Sequence, residues 1–173
     1  MSTGGQDVAQ RIAPFLMFVA AVCGKAEEAI GFYVSVFQNC RIERLQHYGK
    51  GVEPDKEGTL QYGAFALEGQ EFAAIDSAHP HNFAFNEAVS LMVYCRGQEE
   101  IDYYWERLSA VPAAEQCGWL KDKYGLSWQV VPTEMDEMMA RGTKDQIARV
   151  TQAFLKMKKF DVAALRRSYE GTG

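Results

Sequence analysis

Apolar and polar residues in the first half of the chain follow two periodicities in turn. Residues 14–22 are almost continuously apolar, and a run of this length is typical of a buried strand. Residues 25–37 then repeat apolar side chains at helical spacing, with charged residues on the opposite face. Three further strands are predicted at 41–48, 59–67 and 72–76, and the Gly69-Gln70 turn favours a hairpin between the last two. The pattern therefore predicts strand, helix, strand, strand, strand.

The same order of elements begins again in the second half. Residues 89–95 form another short apolar run, which predicts a buried strand. Residues 98–108 place apolar side chains on one helical face, with Trp105 in the middle of the stripe. Two more strands are predicted at 118–122 and 126–131, and the turn between them again indicates a hairpin.

Two modules of one kind, followed by helices, define the expected architecture. Leu91-Met92 repeats the Leu16-Met17 of the first apolar run, which indicates an internal duplication. After Pro132 the apolar spacing is helical, and Asp161 is placed to cap the last helix. We therefore expect an α+β fold in which two βαβββ modules form cupped mixed sheets. A helical tail would cover a sheet or a partner subunit. We expect a single domain over residues 1–173, divided into a first module (13–76), a crossover (77–88), a second module (89–132) and a tail (133–171).

Composition and charge narrow the class of protein. With 47% hydrophobic and 24% charged residues, the chain falls in the range of ordinary globular proteins. Its formal net charge of −5 argues against a nucleic-acid or anionic-membrane partner. No signal-peptide pattern opens the sequence and no apolar run is long enough to span a bilayer, so we expect a cytoplasmic protein. The four cysteines are scattered without a CxxC pair, which favours free thiols over zinc ligands or disulfides.

Several strings of residues resemble one family. Gly24-Lys-Ala-Glu-Glu-Ala, followed by Phe32-Tyr33, is similar to the first helix of PhnB-like proteins. The most specific string is Cys-Gly-Trp-Leu-Lys-Asp-Lys-Tyr-Gly-Leu-Ser-Trp-Gln-Val-Val-Pro at residues 117–132, and the tail at 153–165 is also similar. Over residues 13–171 the chain resembles the PhnB-like branch of the vicinal-oxygen-chelate superfamily, which includes glyoxalases, bleomycin-resistance proteins and dioxygenases.

This resemblance implies a homodimer with a small-molecule ligand in a cleft. Members of the branch are often described as 3-demethylubiquinone-9 3-methyltransferases, but common methyltransferases need a glycine-rich turn after the first strand. Here residues 22–25 contain Gly24 alone. We therefore expect binding or metal-independent chemistry, with no cofactor. Two alternatives stay open: a lyase or dioxygenase that uses a divalent metal, and a resistance-type protein that sequesters an aromatic ligand.

The resemblance also indicates where a metal would be held. Metal-using members of the superfamily take ligands from the first and last strands of each module. At these positions the chain has Phe15, Ser90 and Gln129, and Asp76 is the one carboxylate. Neutral side chains do not compensate the dehydration of a divalent ion, so we expect no tightly bound metal.

Two residues are candidate catalysts. Asp76 ends an apolar strand, where a carboxylate is either an acid or base facing a cavity or a turn-forming residue. His79 and His81 flank Pro80 in the crossover, and His81 is the better candidate for proton transfer unless the segment is a plain connector. His47 is expected to be a surface residue.

Five residues are candidate ligand contacts, because a cupped sheet turns one face into a pocket wall. They are Tyr62, Ser90, Trp119, Trp128 and Gln129. The alternative for both tryptophans is a place in the core of the terminal hairpin. Asp122, just before the hairpin turn, is expected to cap that turn.

Overall fold

The computed structural model describes residues 12–172. The chain divides into two compact units, Met1–Ala84 and Phe85–Gly173, and each has its own sheet. The boundary lies inside the predicted crossover, residues 77–88. Within the described range, no helix is long and apolar enough to cross a membrane.

The described part of the first unit is a mixed sheet of four strands with one helix packed on it. Its elements are β1 (Phe15–Phe18), α1 (Ala26–Val36), β2 (Arg41–His47), β3 (Leu60–Leu67) and β4 (Gln70–Asp76). The strand order is β1-β4-β3-β2, with β1 parallel to β4 and the other pairs antiparallel. The predicted βαβββ module is therefore confirmed for this unit.

The described part of the second unit repeats the arrangement with one strand fewer. Its sheet and first helix comprise β5 (Leu91–Cys95), α2 (Gln98–Leu108), β6 (Trp119–Lys121) and β7 (Ser127–Pro132). The strand order is β5-β7-β6, with β5 parallel to β7. Between α2 and β6 the chain forms a 3₁₀ turn at Pro112–Ala114 and a bridge from Gln116 to Trp119 instead of a further strand. A proline lacks the N–H that a strand in that place would need.

Helices follow the second sheet, as predicted. They are α3 (Thr133–Arg141), α4 (Lys144–Phe154) and α5 (Val162–Glu170). Helix α4 begins with a capping box between Thr143 and Gln146. Asp161 caps α5 by accepting the N–H of Ala164 at 2.9 Å, which confirms the role predicted for it.

The tail packs against its own module. The Gln98 side chain at the start of α2 donates to the Phe160 carbonyl at 3.1 Å and accepts the N–H of Val162 at 2.9 Å. Phe160 is 2% exposed and covers Gly118, where a Cβ would lie 2.4 Å from the ring. Because Gly118 also has a φ of +79°, glycine is needed there for both conformation and space.

Two expectations from the sequence need correction. Strand β1 ends at Phe18, since residues 20–22 turn into a short 3₁₀ helix, so the apolar run is only partly a strand. Trp105 is half-buried, whereas Ile101 and Leu108 on the same helix are 0% and 1% exposed. The stripe that α2 buries is thus narrower than the apolar residues suggested, and Trp105 lies beside it.

Helix α1 approaches the first sheet closely at Gly63. A Cβ at Gly63 would lie 2.7 Å from Cδ1 of Ile30 and 2.9 Å from Cδ2 of Leu60. Both neighbours are 1% exposed, so they have little room to move. The glycine therefore sets the distance between helix and sheet.

We expect Gly63→Ala to lower the free energy of unfolding by about 1–3 kcal/mol, because it overpacks this contact. Gly31→Ala is the matched control, since nothing lies within 4 Å of a Cβ there. Within α1 that change should raise the free energy of unfolding by about 0.5–1 kcal/mol. Urea unfolding of the two variants measures both effects, and equal shifts of the same sign would contradict this account of Gly63.

Candidate functional site

The carboxylate of Asp76 is buried at the end of β4, with the residue 1% exposed. Its Oδ1 accepts the N–H of Gly24 at 2.6 Å and the N–H of Ala26 at 3.1 Å. Its Oδ2 accepts the N–H of Leu60 at 3.0 Å. One side chain thus joins the start of α1 and the first residue of β3 to the end of β4.

This arrangement gives Asp76 a structural role. The first amides of a helix have no intrahelical acceptor, and a negative charge at that end is favourable. Asp76 supplies this acceptor from the end of β4. Because its bonds go to backbone amides of the fold, the geometry favours the structural interpretation, and a catalytic role for Asp76 stays a prediction.

His81 contacts a serine that directly follows Asp76. The Nε2 of His81 lies 2.9 Å from Oγ of Ser77, which is 7% exposed, and the imidazole packs on Phe83 with ring centroids 4.9 Å apart. The chain brings His81 and Asp76 near each other through Ser77, but the Asp76 carboxylate points to the backbone amides described above. Asp76 is therefore not the direct partner of His81, and a proton-transfer role for His81 stays a prediction.

A cavity of about 420 Å³ lies beside this segment in the first unit. It is lined by residues from the turn after β1, from the loop before β3 and from the crossover, namely Ala20, Cys23, Gly24, Lys56, Thr59, Ala78, His79, Pro80 and His81. Burial, and then the nearby charge of Asp76, raise the pKa of the Cys23 thiol. The thiol is thus protonated at neutral pH and is a poor nucleophile.

Asp55 organises the loop around this cavity, although the sequence had not singled it out. Its side chain is 7% exposed; Oδ1 accepts the N–H of Ala78 at 2.7 Å, and Oδ2 lies 3.6 Å from Nε2 of His79. Burial and Asp55 together raise the pKa of Tyr48. A polar loop with an isolated aspartate carries no sequence signal for such a role.

The open face of the second sheet, meaning the face opposite α2, carries apolar and amide side chains. Met92 and Tyr94 on β5 are 44% and 56% exposed. Cys95, the last residue of the same strand, is 0% exposed. The register places Met92 beside Gln129 and Gln129 beside Trp119, so these three side chains share that face. The Gln129 amide donates to Oγ of Ser90 at 2.8 Å. The structure therefore brings together three of the predicted ligand contacts: Ser90, Trp119 and Gln129.

Trp128 lies on the other face of the same sheet. It is 2% exposed, pairs with Leu120 and Leu91, and its indole N–H donates to Oδ2 of Asp122 at 2.8 Å. This placement argues against the predicted ligand contact and makes Trp128 a core residue, the alternative considered from the sequence. Asp122 also accepts two backbone N–H groups of its turn, as expected of a turn cap.

A second cavity, of about 350 Å³, lies at the edge of β6 next to Trp119. Lys121 borders it and forms an ion pair with Glu87 at 2.5 Å. A hydrogen bond from Lys121 lowers the pKa of Glu87. Both charges at this edge are thus already matched to each other.

Tyr62, the remaining predicted contact, lies in the first unit. It is half-buried, and the guanidinium carbon of Arg44 on the neighbouring strand lies 4.6 Å from the centre of its ring. Arg44 was not among the residues singled out from the sequence. The alternation of β2 carried no clear signal, because both faces of that strand bear polar side chains.

The described residues contain no group of three or more His, Cys, Asp and Glu side chains arranged to hold a metal ion. The four cysteines are free thiols, and burial raises the pKa of Cys95 to about 12. His47 is exposed and pairs with Glu27 at 2.7 Å, consistent with a surface residue.

Comparisons with known proteins now bear on this geometry. A family model described as 3-demethylubiquinone-9 3-methyltransferase matches residues 10–131. A solved structure described as a putative 3-demethylubiquinone-9 3-methyltransferase, PhnB protein, from Bacillus cereus is 42% identical, with a TM-score of 0.61 over 72% of this chain and 100% of that chain. The chain belongs to this family.

Further solved structures are similar at lower sequence identity. Protein PA1353 from Pseudomonas aeruginosa is 17% identical with a TM-score of 0.55 over 72% of this chain and 98% of that chain, and it shows the shared fold alone. A glyoxalase/bleomycin resistance protein/dioxygenase from Alicyclobacillus acidocaldarius is 12% identical with a TM-score of 0.40 over 75% and 96% of the two chains. A comparison with curated proteins finds no match. In this PhnB-like chain, helices α3 to α5 follow the residues that the family model covers.

We expect Asp76→Asn to lower the free energy of unfolding by about 2–4 kcal/mol, because an amide group would face N–H donors that now meet a carboxylate oxygen. Asp145→Asn, an exposed aspartate at the start of α4, is the control and should change stability by no more than about 0.5 kcal/mol. Urea unfolding measures the difference. If the two variants were equally stable, the three bonds to Asp76 would not support the fold.

Proposed function

We propose that this PhnB-like protein binds a small organic molecule on the open face of its second sheet, without a divalent metal. The observation that carries the proposal is the exposure of Met92 and Tyr94, on a strand whose end, Cys95, is buried. Apolar and aromatic side chains grouped on an exposed face gain free energy when a ligand covers them.

Polar groups on the same face would orient such a ligand. Gln129 is held by its bond to Ser90, and its amide oxygen has no donor among residues 12–172. A fixed amide among apolar side chains is the usual composition of a small-molecule site. Binding of this kind uses neither anionic ligands nor a metal ion.

The family's description as a methyltransferase gains no support from the turn after β1. A methyl-donor site of the common type needs free backbone amides at a glycine-rich turn. In this chain the amide of Gly24 already donates to Asp76 at 2.6 Å. We therefore place the function in binding, or in chemistry that the bound molecule undergoes without that donor.

We expect Trp119→Ala to weaken binding of the neutral probe 2-naphthalenemethanol by about tenfold, because an aromatic contact of the open face is lost. Trp105→Ala removes a half-buried tryptophan from α2 and is the matched control, which should bind as the unaltered protein does. Saturation-transfer NMR measures both, before and after dialysis against a chelator.

Equal weakening in the two variants would contradict a site on the open face, and loss of binding after dialysis would favour a metal-dependent enzyme. Analysis of the probe after incubation separates the remaining alternatives. A probe recovered unchanged favours a sequestering protein, whereas a converted probe shows an enzyme.

We also propose a homodimer, as the resemblance implies. Apolar side chains remain exposed on both units, Phe15 at 51% and Tyr94 at 56% among them, and a second copy is one means of covering them. Light scattering across the micromolar range should give twice the mass of the chain. A monomer mass over that range would overturn this expectation.

A further inference from the structure

The cavity of about 420 Å³ in the first unit is lined by three nitrogen-bearing side chains and by no carboxylate. Lys56 comes from the loop before β3, and His79 and His81 come from the crossover. Small apolar side chains complete much of the wall, namely Ala20, Ala78 and Pro80. A concave surface with a few polar groups among apolar ones is the usual form of a small-molecule site.

Contacts within the first unit hold both imidazoles at the wall of this cavity. Nε2 of His79 lies 3.6 Å from Oδ2 of Asp55, with which it forms an ion pair when the ring is protonated. Nε2 of His81 lies 2.9 Å from Oγ of the buried Ser77. The polar contacts described for the two rings thus engage Nε2, which leaves Nδ1 of each ring for a ligand.

Lys56 contributes a positive charge to the cavity. Its carbonyl accepts the N–H and the O–H of Thr59, at 3.1 and 2.8 Å, and these bonds fix the turn that carries it. Within residues 12–172 no carboxylate forms an ion pair with its ammonium group. Burial, Asp76 and Asp55 raise the pKa of the Cys23 thiol, and Lys56 acts against them. The ammonium group is therefore close enough to act on a residue that lines the cavity.

Two carboxylates lie near the cavity, but their oxygen atoms are engaged by the fold. Asp76 accepts three backbone N–H groups at 2.6, 3.1 and 3.0 Å. Asp55 accepts the N–H of Ala78 at 2.7 Å, and its side chain is 7% exposed. Since neither carboxylate pairs with Lys56, the counter-ion of that ammonium group has to come from solvent or from a ligand.

We propose that this cavity binds a small organic anion, with the acidic group between Lys56 and the two imidazoles and the apolar part against Ala78 and Pro80. The site is separate from the open face of the second sheet and does not depend on the proposed function. A hydrogen bond between charged groups is about twice as strong as one between neutral groups. An acid should therefore bind more tightly here than a neutral molecule of the same shape.

The experiment compares two probes of nearly equal shape, benzoate and the neutral benzamide. Backbone amide shifts of the ¹⁵N-labelled full chain report where each probe binds. We expect benzoate to shift the amides of Gly24 and Ala78, which line the cavity, and to bind there about tenfold more tightly than benzamide does.

Lys56→Gln should remove this preference, because the charge of the ammonium group is lost. Lys50→Gln is the matched control, since Lys50 is an exposed lysine of the same loop that does not line the cavity. His79→Leu should weaken benzoate binding about threefold through the loss of one hydrogen bond. His47→Leu, at an exposed histidine outside the cavity, should leave it unchanged. The amide spectrum of each variant shows directly that it is folded.

Equal affinity for the two probes at Gly24 and Ala78 would overturn the proposal, and so would a benzoate preference that survives Lys56→Gln. Equal weakening by Lys56→Gln and Lys50→Gln would also overturn it, because the loop would then attract anions without a defined site. The titration with 2-naphthalenemethanol near Trp119 tests the proposed function separately, so failure of one proposal can be told from failure of the other.

Discussion

Three backbone amides converge on the carboxylate of Asp76, and the first module depends on this convergence. A buried charge without partners would be costly, so the site is stable only while the amides of Gly24, Ala26 and Leu60 remain in place. Those amides belong to the start of α1 and the start of β3. The carboxylate therefore fixes where α1 begins and where β3, the hairpin partner of β4, begins.

The position of α1 determines which side of the first sheet the helix covers. Because the helix starts at the edge that Asp76 fixes, it packs on the face that contains Gly63, where the missing Cβ admits Ile30. The row of Phe15, Ala73, Ala64 and Arg44 then points the other way. In the second module α2 packs on the face of Val130, which is 0% exposed, and leaves Met92 and Tyr94 uncovered. The Asp76 carboxylate and the positions of the helices therefore determine which side chains remain accessible to a ligand.

The order of elements could be predicted because it depends on local periodicity. Helices α1 and α2 and six of the seven strands lie within a few residues of their predicted bounds, and the string from Cys117 to Pro132 was specific enough to indicate the family. Strand β1 is the exception, since the apolar run continues through a turn that Ala20 enters with a φ of 49°. Periodicity carries no information about a turn of that kind.

The candidate site was harder to predict, because pairing across strands decides which face each residue joins. Trp119 and Trp128 are equally apolar and lie in the same hairpin, yet Trp119 is half-buried on the open face and Trp128 is 2% exposed against Asp122.

Two charged residues of the first module show a similar contrast. The sequence drew attention to Asp76, an acid at the end of an apolar strand, but its charge is satisfied by the fold. Lys56 stands in a polar loop beside a cavity, and its charge is matched by no carboxylate in the described chain. A buried charge that the backbone compensates stabilises the fold and has little left to offer a ligand. An exposed charge that lines a cavity and lacks a counter-ion is the one that can gain free energy from binding.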